Sequence, residues 1–411
     1  MVSMSWRALG ALAAFSLALG ACAPAAPAPS ATTAPAAPKP TEAPKPAAAT
    51  APAKPAAGPL KVGVAISLSG PGAAVGNTIK GAVELKAEEL NAAGGVKGSQ
   101  VDLVFEDTSD RPDVGVNAVN KLITADKVLA IIGAIQSPLT LATMEVSAKN
   151  ETPQITPVST NPKVTSSGNP WIFRVAITDA VRVQQLSDYL VQKKGFKNLA
   201  ILYVNDDFGK GANELFAKEI PSRGGKVVAA EGYQSDGKDF TSELSKVQAA
   251  NPDALVIWGR QADGALLARQ MRDLGIKVPV YGSDGFSSPQ LPQLAGDAVN
   301  GWVFSTSFLP EAQGKAAQDL DKALRERYKL DPDFSAGQAY DAAGLLFEAM
   351  KRADLSGDVA ASRKTIRDEL RKTKDYPGVI GRLSFDETGD LLVKDFFLAS
   401  WNNGTMVPVK D

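Results

Sequence analysis

The 411 residues carry 44 basic and 45 acidic side chains, a balance that offers neither a cationic face for nucleic acid nor a polyanionic tail. Histidine is absent and cysteine occurs once, which excludes His-based triads, His-ligated zinc, Cys-cluster metal centres and internal disulfides. With 44% apolar residues there is ample core material, and the length suits about two to three domains at roughly 150 residues each.

Residues 1–21 open with a short region carrying Arg7 and then run from Ala8 to Gly20 through small and apolar side chains. This is the n-region and h-region of a secretory signal, too short to span a membrane stably. The run ends at Leu19-Gly20-Ala21-Cys22, which resembles the lipobox of bacterial lipoproteins and implies cleavage ahead of a lipidated Cys22. Each buried acyl CH₂ contributes roughly 0.8 kcal/mol, so multiple acylation would anchor the chain durably. An ordinary cut near Ala21 or Ala23 would instead leave a bare thiol. Residues 22–59 continue almost wholly in Ala, Pro, Thr and Lys, a composition with nothing to nucleate a core. At about 3.1 Å per residue, such a Pro-rich stretch forms a semi-stiff tether on the order of 100 Å long.

From Lys61 the texture changes to alternating strand and helix patterns. Lys61 to Leu68 is a β-rich apolar run, and Asn77 to Ala93 follows helical spacing until Gly94-Gly95 stops it. Strands are expected at Val101–Phe105, Val128–Gly133 and Gln154–Thr156, with helices at Val114–Ala125 and Pro138–Lys149. The pattern resumes with helices at Ala180–Lys194, Gly211–Arg223, Phe240–Ala250 and Gly264–Leu274. Between them come strands at Leu199–Val204, Val227–Glu231, Ala254–Trp258 and Val278–Tyr281. Helices dominate Lys315 to Arg352, a last one covers Val359–Lys372, and a strand or hairpin occupies Gly381–Ser400. This alternation predicts an α/β protein with two mostly parallel sheets flanked by helices, the chain passing between them more than once. In such folds ligands sit outside the carboxyl ends of the strands.

Several short segments then fall in a telling order: Asn91-Ala92-Ala93-Gly94-Gly95-Val96, Glu106-Asp107-Thr108, Ile155-Thr156-Pro157 with Ser159-Thr160, and Asn205-Asp206-Asp207-Phe208-Gly209. Ser283-Asp284-Gly285, Tyr340-Asp341-Ala342 and Phe385-Asp386-Glu387-Thr388-Gly389-Asp390 complete the series. Together they resemble the leucine/isoleucine/valine-binding protein family of extracytoplasmic ABC-importer receptors, over the whole body from Lys61 onward. The resemblance implies a two-lobed type I periplasmic-binding-protein fold with a three-crossover hinge. Lobe one would comprise 60–176 plus 309–386, and lobe two 177–308 plus 387–411.

The resemblance also nominates a ligand site between the lobes. Ser137 suits the N-cap of a helix with Pro138 at N1, where free N–H groups and the helix dipole favour a ligand carboxylate. Ser159 and Thr160, in a loop bracketed by Pro157 and Pro162, would meet carboxylate and ammonium. Asp284 stands where the family carries an acid for the α-ammonium, although Asp-Gly more commonly marks a plain turn. Phe208 stands where an aromatic covers the ligand. Gln136 falls where some members have a disulfide Cys, Val75 where an aromatic lid is frequent, and Arg260 where an aromatic from lobe two is usual. A guanidinium in the cleft would welcome a second carboxylate and disfavour an aliphatic side chain, unless it serves as a surface charge. Trp171 and Trp258 suit core or rim, and Tyr340 a hinge or cleft contact.

The expected function is a lipid-anchored monomer that captures an amino acid or related small carboxylate by hinge closure and delivers it to a membrane permease. It would use no cofactor, metal or nucleic acid. A ligand sensor of the same fold, or a receptor for aromatic acids, dicarboxylic acids or amides, would leave the same pattern. No catalytic set is visible, and Ser69-Gly70-Pro71-Gly72 does not meet the P-loop pattern.

Overall fold

The computed structural model of the protein describes residues 58–392 and 396–409. The signal, Cys22 and the tether lie outside the described residues. Strands β1 (Leu60–Ile66), β2 (Val101–Asp107), β3 (Ile131–Gly133), β4 (Gln154–Thr156) and β5 (Ile172–Arg174) form a parallel sheet in the order β2-β1-β3-β4-β5. A strand inside a parallel sheet has both faces covered by helices. This is why β1 reads as an unbroken apolar run and is buried from Val62 to Ile66.

The second sheet takes β6 (Asn198–Val204), β7 (Lys226–Tyr233), β8 (Ala254–Trp258), β9 (Val280–Gly282) and β10 (Val303–Thr306) in parallel. Late strands β13 (Phe397–Asn402) and β14 (Thr405–Pro408) are added antiparallel, for the order β14-β13-β10-β9-β8-β6-β7. Central β8 is buried at every residue, whereas edge strand β7 alternates, leaving Val228 37% exposed.

The chain leaves the first sheet after β5 and enters the helix Asp179–Ser187 ahead of β6. After β10 it returns: Leu320, Leu346 and Ile366, on the helices Lys315–Tyr328, Ser335–Arg352 and Val359–Arg371, share one core with Val64 and Ile79. It then crosses back to supply β13. The expectation of repeated passage between two helix-flanked sheets therefore holds.

The helices expected over Lys315–Arg352 are two, parted where Lys329 takes a left-handed φ of 57° just before Asp331-Pro332, since proline cannot continue a helix. One segment departs from the sequence reading: the strand or hairpin expected at Gly381–Ser400 is two strands in different sheets. Strand β12 (Gly381–Leu383) pairs with β11 (Tyr376–Gly378) in a small ribbon, while β13 joins the large sheet.

Both sheets begin their binding side with a close βα turn. A methyl group on Gly76, in the first turn of the helix Ala73–Ala92, would lie 1.7 Å from the Ser67 carbonyl oxygen. On Gly209, in the helix Asp207–Ser222, it would lie 2.0 Å from that of Val204. Glycine lets each helix start tight against the end of its strand, which holds the following loops at the rim of one cleft.

Candidate ligand-binding cleft

A cavity of about 510 Å³ opens where the carboxyl ends of the two sheets face each other. Lobe one contributes Val75, Asp110, Gln136, Ser137 and Thr160, and lobe two Phe208, Arg260 and Asp284. Most nominated residues therefore border one space.

Gln136 and Ser137 sit at the start of the helix Ser137–Lys149. The N-cap is Gln136, with extended backbone, and Ser137 is the first helical residue, one place later than expected. The Ser137 hydroxyl accepts from the Asn161 backbone N–H at 3.3 Å. Gln136 Nε2 donates to Asp110 Oδ1 at 2.9 Å, an amide-to-carboxylate bond between two loops. Asp110 also accepts from Ser67 Oγ at 2.5 Å and from the Gly72 backbone N–H, which makes it the knot of the lobe-one rim.

Ser159 is not brought to the cavity. Its hydroxyl donates to the Ile135 carbonyl at 3.0 Å and pairs with Thr140 Oγ1 at 2.5 Å, bracing the turn behind Ser137. Its neighbour Thr160 borders the cavity and is 2% exposed; its hydroxyl faces the Asp179 carboxyl but makes no hydrogen bond of normal geometry among the described residues.

Asp284 follows β9 and is 3% exposed. Its Oδ2 lies 3.0 Å from Arg182 Nη2 but takes no hydrogen bond of normal geometry. Arg182 is fully buried and donates to the Ile177 carbonyl, Ser305 and Ser307. Beside them Asp179, at the start of the helix Asp179–Ser187, is fully buried with both oxygens lacking hydrogen-bond partners. Burial pushes the Asp179 carboxyl up to about 7 and the Asp284 carboxylate adds to the push; the Thr160 hydroxyl and the Arg182 and Arg174 cations pull the other way. Burial likewise raises Asp284, against Arg182. A buried acceptor left unmatched costs about 1–3 kcal/mol, and more for a charged one. Thr160, Asp179 and Asp284 together therefore leave open valences for a donor, and their charge favours a cation.

Sequence reasoning missed Asp179 and Arg182. The available signal was helical phase, because Asp179, Arg182, Val183 and Leu186 occupy one buried face, and charges in phase with a core stripe demand a reason.

On lobe two, Arg260 borders the cavity and is anchored. Its Nη2 donates to Asp206 Oδ2 at 2.7 Å, and its guanidinium lies 5.3 Å from the centre of the Phe208 ring. Burial works against the Arg260 cation, but the Asp206 carboxylate outweighs it and raises its pKa. Phe208 is mostly buried, with Trp258 at 6.1 Å behind it, so it serves both packing and the cavity wall. Trp258 is core, and Trp171 is buried beside the Arg367 guanidinium. Tyr340 does not reach the cleft: its hydroxyl donates to Glu89 at 2.5 Å and accepts from Lys86 at 3.1 Å, joining two helices of lobe one.

The sequence profile of a family described as periplasmic binding protein matches residues 59–405. A relative named Leu/Ile/Val-binding protein homolog 3, from Brucella melitensis, is 29% identical over 348 residues, covering 85% of this chain and 93% of its own. Among solved structures, a leucine binding protein LivK from Thermotoga maritima is 30% identical with a TM-score of 0.79, over 85% of this chain and 98% of that one. The branched-chain amino acid transporter substrate binding protein LivJ from Streptococcus pneumoniae, solved with isoleucine, is 29% identical with a TM-score of 0.78, over 86% and 100%.

Proposed function

We propose that this chain, which belongs to the periplasmic binding protein family, captures an α-amino acid between its lobes as the solute-binding component of an ABC importer. The observation that carries this reading is the set of open acceptors at one end of the cleft: Thr160 Oγ1 and Asp284 Oδ2 on the cavity and, fully buried beside them, both oxygens of Asp179. An ammonium group supplies donors and a positive charge to acceptors that lack them. The start of the helix Ser137–Lys149, bordering the same cavity, suits the ligand carboxylate, because a helix N-terminus presents unbonded N–H groups and partial positive charge. Relatives named for leucine, isoleucine and valine support the amino-acid class.

Thr160 lies on lobe one and Asp284 on lobe two, so one ammonium touches both halves only when they close. A ligand that binds the closed arrangement better shifts the population toward it without any chemical step. The closed form would then dock on a membrane permease. Among the described residues no helix is long and apolar enough to cross a membrane. Cys22 would supply the attachment as a lipidated residue, with 22–59 as the tether and 1–21 as the removed signal. The lobes would divide as 60–176 plus 309–386 and 177–308 plus 387–411.

A thermal-shift screen of α-amino acids against amine-free acids of the same carbon skeleton tests the reading, since a ligand of the folded form alone raises the melting temperature. Amino acids should stabilise and their amine-free analogues should not; stabilisation by the analogues alone would refute it. For the anchor, Cys22→Ala should move the protein from the membrane pellet to the soluble fraction, and continued pelleting would refute lipidation.

A further inference from the structure

We infer that the Arg260 wall of the cleft selects α-amino acids ending in a carboxamide, glutamine or asparagine, over aliphatic and acidic side chains of similar length. The inference rests on the ammonium seat proposed above and adds what the far end of the ligand must be.

Arg260 is a preorganised donor. Asp206 holds its Nη2, and Asp206 is itself fixed as the N-cap of the helix Asp207–Ser222, its Oδ1 accepting from the Phe208 and Gly209 backbone N–H groups at 3.0 and 3.2 Å. The Phe208 ring lies against the guanidinium. Among the described residues Nε and Nη1 of Arg260 have no hydrogen-bond partner, so donors remain for whatever occupies the cavity.

The surrounding charge limits what that occupant can be. Asp263 also borders the cavity beside Arg260, with the Tyr233 hydroxyl 3.5 Å from its Oδ2. Burial lifts the Asp263 carboxyl to about 6, with Arg260 opposing and Asp206 assisting. The wall therefore carries two carboxyl groups, Asp206 and Asp263, beside one guanidinium. Of the other charges on the cavity, Asp236 and Lys238 are opposite in sign and Arg111 is paired with Asp113 at 2.7 Å, while Asp110 keeps its charge with its lone pairs taken by three neutral donors.

Three side-chain classes can be weighed against this wall. A second carboxylate would bring further negative charge to a guanidinium already paired with Asp206 and flanked by Asp263, contrary to what Arg260 suggests from sequence alone. An aliphatic chain would strip water from Nε and Nη1 and give nothing back. A carboxamide presents a carbonyl to Arg260 and, beside it, N–H donors to the spare lone pairs of Asp206 or Asp263. It also adds no net charge, so it alone matches donor to acceptor on both sides.

Titration calorimetry of the protein with glutamine, asparagine, leucine, glutamate, lysine and the amine-free half-amide of glutaric acid decides the matter. Glutamine or asparagine should bind at least about tenfold tighter than leucine, glutamate or lysine. Arg260→Leu should lower the preference for glutamine over leucine by at least about tenfold. Leucine, glutamate or lysine binding the unaltered protein more tightly than both amides overturns the inference, as does an unchanged preference in a folded Arg260→Leu variant. Should that variant fail to fold, the ranking with the unaltered protein decides alone. If the half-amide binds as tightly as glutamine, the ammonium seat fails while amide selection stands. If no amino acid binds, both fail.

Discussion

Asp110 and Asp284 border the same cavity from opposite lobes, yet their surroundings differ in kind. Asp110 takes donors from Ser67, Gln136 and the Gly72 backbone, and every one of them belongs to lobe one. Asp284 Oδ2 lies 3.0 Å from Arg182 Nη2 and takes no hydrogen bond of normal geometry. A carboxylate whose donors are all supplied by the fold fixes loops, whereas one left short in a buried setting is held for a visitor. Position on the cavity does not distinguish these roles; the state of the lone pairs does.

The strongest way to break this contrast is Asp284→Ala. Loss of a charge-assisted bond of about 1.5–3 kcal/mol should weaken α-amino acid binding at least about tenfold, measured by calorimetry. Unchanged affinity would remove Asp284 from the site. Thr160→Val keeps the shape of the side chain and removes its open acceptor. The acceptor is neutral but the ammonium is charged, so the loss should lie near the lower end of about 1.5–3 kcal/mol and affinity should fall about tenfold, and a Thr160→Ser variant should retain most of it.

A smaller effect should appear with pH. The folded-state carboxyl of Asp179 lies near 7, above its ordinary value of 3.8, so the folded chain holds that proton more tightly than the unfolded chain. The linked stability is fully present below about pH 4 and is lost as pH rises through about 7. A bound ammonium favours the ionised form, so affinity should move oppositely and strengthen about threefold from pH 5.5 to 8. Asp179→Asn should flatten both trends. If the melting temperature of the unliganded Asp179→Asn variant follows the same pH slope as the unaltered protein, Asp179 is not the group that titrates.

The alternation of β1 to β4 and of β6 to β9 with helices could be read from sequence because central parallel strands such as Ala254–Trp258 are buried on both faces and appear as apolar runs. Strands β5, β10 and β14 span only three or four residues, too few to show a period; β3, β4 and β9 are as short and were legible through their place between helical patterns. At the site, Thr160, Asp284 and Phe208 were nominated through the family resemblance, and all three border one cavity. Ser159 was nominated by the same loop, but its hydroxyl points into the turn, a choice between two faces that sequence does not encode. The pairing of Arg260 with Asp206 spans 54 positions, so only the meeting of β6 and β8 in one sheet brings them together. This is why Arg260 alone suggested an acidic ligand and the assembled wall does not.

The smallest binding effect should come from Asp110→Asn, which tests the satisfied half of the contrast. Asparagine keeps one acceptor and places an NH₂ where the second carboxylate oxygen stood. One of the donors from Ser67, Gln136 and Gly72 is then left facing another donor. An unmatched group of this kind costs about 1–3 kcal/mol, and for domains of this size each 1 kcal/mol lowers the melting temperature by about 2–4 °C. Thermal melting should therefore drop by several degrees. Affinity should change by less than about twofold, because none of the three donors is among the groups assigned to the ligand. If the variant instead melted normally and lost its ligand, open lone pairs would not be what separates a binding carboxylate from a structural one in this cleft, and the ammonium seat at Asp284 would lose its physical basis.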